Sequence, residues 1–272
     1  MSSGQIPNFE CIKLEINEGV ALLTLNRPDR LNSFTQKMHA EVRESLAIVK
    51  SGRESGSVRV LVLTGAGRGF CAGQDLSDRA VSADSAPVDL GESIEKNYKP
   101  LVMGLRQLEM PVLCAVNGVA AGAGANVALA CDIVFAAKSA SFIQSFSKLG
   151  LIPDTGGSWI LPRLLGSSRA MGLALLGDKI SAEQAQEWGL IWKAVDDQDL
   201  MLTVMGIAKQ MAKGPTFGYA MTKKAIWSSS TNDFETQLDL ERDMMRQCGN
   251  SEDYREGVAA FMEKRTPEFK GK

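Results

Sequence analysis

The sequence predicts an α/β fold on three observations: strand and helix signals alternate through its first half, two of those strands run into glycine-bearing turns, and its last third reads as successive helices. In order, residues 12–16 and 20–25 form a hairpin pattern around Asn17-Glu18-Gly19. Residues 35–49 repeat apolar positions with a period near 3.6 and predict an amphipathic helix. Residues 58–64 (Val-Arg-Val-Leu-Val-Leu-Thr), 112–116 and 133–136 read as strands, and the first two feed the glycine turns. Glycine there lets backbone approach a ligand closely. Residues 77–89 are mostly small and polar, as expected of a mobile surface loop. Helices are expected at 168–176, 181–188, 200–212, 216–227, 234–248 and 251–264, the last opening on a charged, cap-competent Glu252-Asp253. This change of architecture divides the chain into a core, 1–200, and a helical region, 201–272. No internal repeat implies a solenoid.

Composition bounds the function. A chain of 272 residues, 44% hydrophobic, with 30 basic against 32 acidic groups, can bury one large core or one core with a small appendage. The most apolar stretch, 111–137, is broken by Asn117, Asn126 and Asp132, so no membrane span is expected; neither is a nucleic-acid partner. Met1-Ser2-Ser3-Gly4-Gln5 lacks the basic and apolar parts of a secretory signal, which makes the cytoplasm the expected compartment. The five cysteines are odd in number and widely spread, indicating neither a disulfide framework nor a CxxC metal site. His39 is the only histidine and reads as an ordinary helix or surface residue, so a metal site of several histidines is excluded. Acid and base work falls to carboxylates.

Asp154 is the only acidic residue between Asp132 and Asp178, and it lies between the apolar run 149–152 and Gly156-Gly157. Apolar surroundings disfavour a charged carboxylate and make it a usable proton carrier. Pro153-Asp154-Thr155-Gly156 is equally a turn and N-cap sequence, and both readings stand. The glycine turns also have two readings. Thr64-Gly65-Ala66-Gly67-Arg68-Gly69-Phe70-Cys71 nearly fits a short-chain dehydrogenase turn, and Tyr219 to Lys223 supplies a YxxxK. Against this, a dinucleotide fold places its glycine turn after its first strand, whereas this one follows a hairpin, a helix and a further strand. Alternatively, the segments around Gly73-Gln74 and Gly122-Ala123-Gly124 offer unsatisfied backbone N–H groups able to hold an oxyanion, or simply permit tight packing.

The chain resembles the crotonase (enoyl-CoA hydratase/isomerase) superfamily. The resemblance rests on Leu25-Asn26-Arg27-Pro28 with Leu31-Asn32-Ser33-Phe34, Gly69-Phe70-Cys71-Ala72-Gly73-Gln74-Asp75-Leu76, Ala115-Val116-Asn117-Gly118 with Gly122-Ala123-Gly124, Cys131-Asp132-Ile133 and Leu151-Ile152-Pro153-Asp154-Thr155-Gly156-Gly157. It implies a spiral of ββα turns with a helical C-terminal trimerisation region, assembled as a homotrimer or a dimer of trimers. The implied ligand is an acyl-CoA thioester whose carbonyl meets the backbone N–H groups of Gln74 and Ala123. Coenzyme A belongs to the substrate, contacted by Arg30 and by Phe261 and Lys264 of a neighbouring subunit; no metal or redox cofactor is implied.

Departures decide the subfamily. The two glutamates of typical hydratases correspond to Asn126 and Phe146, which removes the evident base for water. Asn126 is then expected to satisfy a helix terminus or orient substrate, Phe146 to shape an apolar acyl pocket, and Asp75 to fix its turn through nearby backbone. Asp154 remains as the acidic candidate. One carboxylate with an oxyanion hole suits isomerisation, and the segments around Asp154, Gln74 and 170–177 resemble isomerases of aerobic phenylacetate degradation. Such enzymes convert an aromatic ring epoxide to an oxepin thioester, and related activity shifts a 3-enoyl double bond to the 2-position. A hydratase, or a noncatalytic acyl-CoA-binding member of the fold, is the alternative.

Overall fold

The structure, a computed structural model, describes residues 6–79 and 89–272. The hairpin forms as expected: β1 (Ile12–Asn17) pairs antiparallel with β2 (Val20–Leu25), Ile12 opposite Leu25. Glu18 and Gly19 both have positive φ, the turn geometry that matches the twist of the flanking strands. Thr35 then caps α1 (Gln36–Ser55), its side chain accepting from the Met38 N–H at 3.2 Å. Met38, Val42 and Val49 form the buried stripe of this helix.

Beyond α1 the chain winds as a spiral. β3 (Val60–Gly65) turns into β4 (Gly69–Cys71), β5 (Val112–Val116) into β6 (Val119–Ala121), and β7 (Ile133–Ala137) into β8 (Ser141–Ile143). The first strand of each pair joins a large sheet and the second a small one. With β9 (Lys179–Ser181) and β10 (Lys193–Val195), the sheet orders are β1-β2-β3-β5-β7-β10 and β4-β6-β8-β9. All pairings are parallel except β1 with β2 and β8 with β9. Every residue of β3 and β5 is buried, as a parallel sheet covered on both faces requires.

The helices are α2 (Leu90–Ser93) and α3 (Lys99–Gln107), joined by a π-helical turn at Ile94–Tyr98, then α4 (Ala123–Leu129), α5 (Gly157–Leu176), α6 (Ala182–Glu187), α7 (Leu200–Ala212), α8 (Thr216–Ser228), α9 (Phe234–Gly249) and α10 (Glu252–Glu263). α5 begins eleven residues before the expected 168. It continues through Pro162 and a non-helical Gly166 (φ 74°, ψ 164°), the two residues that disguise it in the sequence. Of the loop expected at 77–89, residues 80–88 lie outside the described residues, while Leu76–Arg79 form a 3-10 turn. α7 packs on β2, β3, β5 and β7 with Val204 and Ala208 fully buried, so packing places it with the core. α8 packs on α9, and α9 on α10.

Two polar anchors tie these last helices to the spiral. Lys223 of α8 reaches Asp132 at 2.9 Å, and Asp132 also accepts the Val112 N–H; burial nonetheless pushes the Asp132 carboxyl above its ordinary value. Arg59, before β3, donates to Thr216 and to the Phe269 carbonyl. No helix among the described residues is long and apolar enough to cross a membrane.

Candidate active site

The turn between β3 and β4 is occupied from within. Asn32, fully buried, donates its side-chain amide to the carbonyls of Ala66, Gly69 and Phe70 and accepts from the Arg27 N–H. Asn117 accepts from the Gly65 N–H at 3.1 Å and donates to the Gly67 carbonyl, and the Ala66 N–H goes to Leu25. The Gly65 and Ala66 N–H groups of this turn are therefore committed to protein acceptors. Lys223 of the YxxxK is likewise committed, to Asp132. Both features behind the nucleotide reading thus serve internal contacts among the described residues.

The chain then presents two outward N–H groups. Gln74 forms a parallel bridge with Phe34: the Phe34 N–H bonds the Gly73 carbonyl at 2.7 Å and the Asp75 N–H bonds the Phe34 carbonyl at 2.9 Å. Those bonds use Gln74's neighbours, so its own N–H points the other way and meets no backbone acceptor among the described residues. Ala123 opens α4, where the first N–H groups have no partner within the helix. The two positions converge. A Cβ on Gly73 (φ 89°) would stand 3.0 Å from the Ala121 carbonyl and 3.3 Å from the Ala123 nitrogen, and one on Gly124 would stand 2.3 Å from the Cys71 carbonyl oxygen. Only glycine allows the turns to lie this close.

Several side chains hold the first turn. Asp75 pairs with Arg27 at 2.9 Å and accepts both the N–H and hydroxyl of Ser77; these Ser77 bonds, with Arg27, hold its carboxyl at about 2. Gln74 is anchored by Tyr98, whose hydroxyl donates to its Oε1 at 3.0 Å, and its amide donates to the Phe34 carbonyl. His39 departs from expectation. It is on a helix, but only 2% exposed, its ring 4.6 Å from Phe34 and 4.5 Å from Tyr98. The inner face of α1 thus lies against Phe34 and Tyr98, the residues that hold the Gln74 turn, a contact that no local pattern announces.

Asp154 sits half-buried on the turn between the 3-10 segment Ser145–Leu149 and α5. Its carboxylate accepts from the Thr155 hydroxyl at 2.8 Å. The α5 N-cap is Gly156, without a side-chain capping bond; the Asp154 backbone carbonyl instead takes the Gly157 N–H at 2.8 Å. The backbone carbonyl, not the carboxylate, thus closes the turn into α5. Thr155 is buried at φ 54°, a left-handed conformation costing a β-branched residue about 1–2 kcal/mol. The apolar run before Asp154 faces outward, Ile152 being 79% exposed, so within one chain it does not supply the apolar surroundings expected from the sequence.

Asn126 lies behind this turn with no exposed surface, donating to the Asp154 carbonyl at 2.8 Å and accepting from the Gln144 amide at 2.9 Å. Phe146 is buried, its ring edge 3.7 Å from the Cβ position of Gly122, against the turn that leads into α4. Gln74, Ala123, Asn126, Phe146 and Asp154 thus form one cluster. Arg30 is exposed at the end of the 3-10 turn Pro28–Arg30. Phe261 lines an apolar groove of about 490 Å³ with Tyr254 and Phe269, and Lys264 ends α10 in the left-handed conformation, so neither belongs to that cluster in the single chain. Sequence reasoning assigned no role to Arg27, Asn32, Asn117, Tyr98, Gln144 or Thr155. Asn32 and Asn117 carried a signal, as amides beside glycine turns; Tyr98 and Gln144 did not.

Residues 15–272 match the family described as Enoyl-CoA hydratase/isomerase. The chain is 58% identical to 1,2-epoxyphenylacetyl-CoA isomerase of Escherichia coli (strain K12), over 97% of this chain and 100% of that protein. It is 34% identical to trans-2-decenoyl-[acyl-carrier-protein] isomerase of Streptococcus mutans, over 97% and 100% of the two chains. The crystal structure of enoyl-CoA hydratase from Bacillus anthracis superposes with a TM-score of 0.88 at 34% identity, covering 97% of this chain and 100% of that one.

Proposed function

We propose that this chain, which belongs to the enoyl-CoA hydratase/isomerase family, is an acyl-CoA isomerase that works with one carboxylate and two backbone N–H groups. The observation that carries the reading is the cluster itself: Asp154 tied through Asn126 to the helix that begins with the Ala123 N–H, beside Gln74. The thioester carbonyl accepts hydrogen bonds from Gln74 and Ala123. Asp154 removes a proton from the carbon beside that carbonyl, and the electron pair moves into an enolate whose oxygen the two N–H groups stabilise. The protonated Asp154 then returns the proton two carbons further on, which moves a 3-enoyl double bond to the 2-position without net gain or loss of atoms. Asp75 is unsuited to this work, since Ser77 and Arg27 keep it ionised.

The 58% identity to the Escherichia coli enzyme supports a second substrate of the same site, a ring-1,2-epoxyphenylacetyl-CoA rearranged to an oxepin thioester. In this reading Phe146 shapes the acyl pocket, with Asn126 behind it, while Arg30, Phe261 and Lys264 serve the coenzyme A portion; no metal or redox cofactor takes part. Assembly as a homotrimer or a dimer of trimers is supported by large apolar side chains left exposed, among them Leu175, Leu176, Trp192 and Phe261. The reading is completed by a cytoplasmic place with no nucleic acid or membrane as partner, in keeping with the balanced charge of 30 basic and 32 acidic residues.

Purified protein offered ring-1,2-epoxyphenylacetyl-CoA and an aliphatic 3-enoyl-CoA side by side, with product mass and ultraviolet spectrum as readouts, tests the proposal. Products of unchanged mass, absent with Asp154→Asn while thioester binding persists, are expected. A product heavier by one water, release of free coenzyme A, or full turnover in the variant overturns it.

A further inference from the structure

Asn126 stands one helical turn after Ala123: its N–H bonds the Gly122 carbonyl at 3.2 Å. The short helix α4 therefore carries an oxyanion donor at its first residue and, on the next turn, the side chain that grips the Asp154 peptide. Both functions of that side chain reach outside α4, Nδ2 to the Asp154 carbonyl and Oδ1 to the Gln144 amide. Gly157 makes room for it, since a Cβ there would stand 2.3 Å from Asn126 Nδ2. The grip falls on a turn that needs one, for Thr155, a β-branched residue, is held at φ 54°.

We propose that Asn126 is a positioning residue for the isomerisation, fixing the peptide that carries Asp154 relative to the α4 N-terminus and so setting the distance between proton carrier and enolate oxygen. The inference rests on the reading of Asp154 as the proton carrier. An amide suits the place because one side chain must donate toward a carbonyl and accept from Gln144 at once. An ionised carboxylate of the same shape offers acceptors only and confronts the Asp154 carbonyl oxygen; an aliphatic side chain offers neither function. Gln144 orients the amide from behind, so it acts at one remove.

The test uses 3-hexenoyl-CoA and the full chain. Asn126→Asp keeps the shape and the bond from Gln144 but loses the donor to Asp154; kcat is expected to fall about 30-fold while KM changes by less than about threefold, as for a misplaced reacting group. Gln144→Met leaves Asn126 in place and is expected to lower kcat about fivefold, again with little change in KM. Added to Asp154→Asn, the Asn126→Asp change is expected to cost nothing more, because its effect passes through Asp154. The proposal is overturned if kcat stays within twofold of the parent in folded Asn126→Asp and Gln144→Met, if KM rises as much as kcat falls, or if Asn126→Asp lowers the residual rate of Asp154→Asn further. Should Asn126→Asp not fold, Gln144→Met decides alone. Full activity of Asp154→Asn overturns instead the isomerase reading beneath.

Discussion

The two halves of the site are built differently. The turns that carry the Gln74 and Ala123 N–H groups lie where parallel strands of the spiral stack, and they are held at many points: Phe34 bridged to Gln74, Asn32 and Asn117 filling the preceding turn, Asp75 on Arg27, and Tyr98 on the Gln74 side chain. The Asp154 turn lies outside the sheets, between a 3-10 segment and α5, in a left-handed conformation gripped through one buried amide. The difference suits the work proposed for each part. Groups that receive developing charge act best when nothing has to reorient as it appears. A carboxylate that moves a proton between two carbons, as proposed for Asp154, needs the peptide that carries it fixed.

The largest break of that comparison is Asp154→Asn, which is expected to lower kcat by roughly 10²–10⁴-fold while calorimetry shows thioester affinity nearly unchanged. Gly124→Ala attacks the other half. Its new methyl would meet the Cys71 carbonyl at 2.3 Å and force the turns apart, so kcat/KM is expected to fall about 10²–10³-fold. Unlike Asp154→Asn, it is expected to weaken thioester binding and lower the midpoint of thermal unfolding as well.

Thr155→Val probes the carboxylate's orientation alone. Loss of the hydroxyl donor to Asp154 is expected to lower kcat about tenfold, the equivalent of one hydrogen bond to a charged group, in steady-state assays at unchanged KM. Asp75→Asn sharpens the contrast least and reads out mainly in stability. The Asp75 carboxyl is lowered from 3.8 to about 2 in the folded chain, so its ionised form stabilises the fold above pH 4, and that contribution is lost as pH falls through about 2. Urea midpoints of Asp75→Asn are therefore expected to depend less on pH between about 4 and 2 than those of the parent.

Much of this architecture was legible before any coordinates. The hairpin, the Thr35-capped helix, the strands near 60 and at 112–116 and the helix at 200–212 emerged because periodicity and capping act over a few residues. The small sheet was not legible. Its four strands are three residues each, too short to show a period, and they exist because the spiral brings them together. For the same reason the apolar run at 149–152 read as apolar surroundings for Asp154 yet points outward, and His39 read as an ordinary helix or surface residue yet lies beneath Phe34 and Tyr98.

What the sequence by itself determined is the inventory of chemistry: one histidine, glycine turns after strands, and Asp154 alone in its stretch. The tertiary structure decided the pairings. Gln74 beside Ala123, and Asn126 on the carbonyl of a residue 28 positions away, arise from successive turns of the spiral lying on one another. Turn and helix preferences act within a few residues along the chain; where those turns meet is set by the parallel stacking of strands, which no segment of the sequence encodes alone.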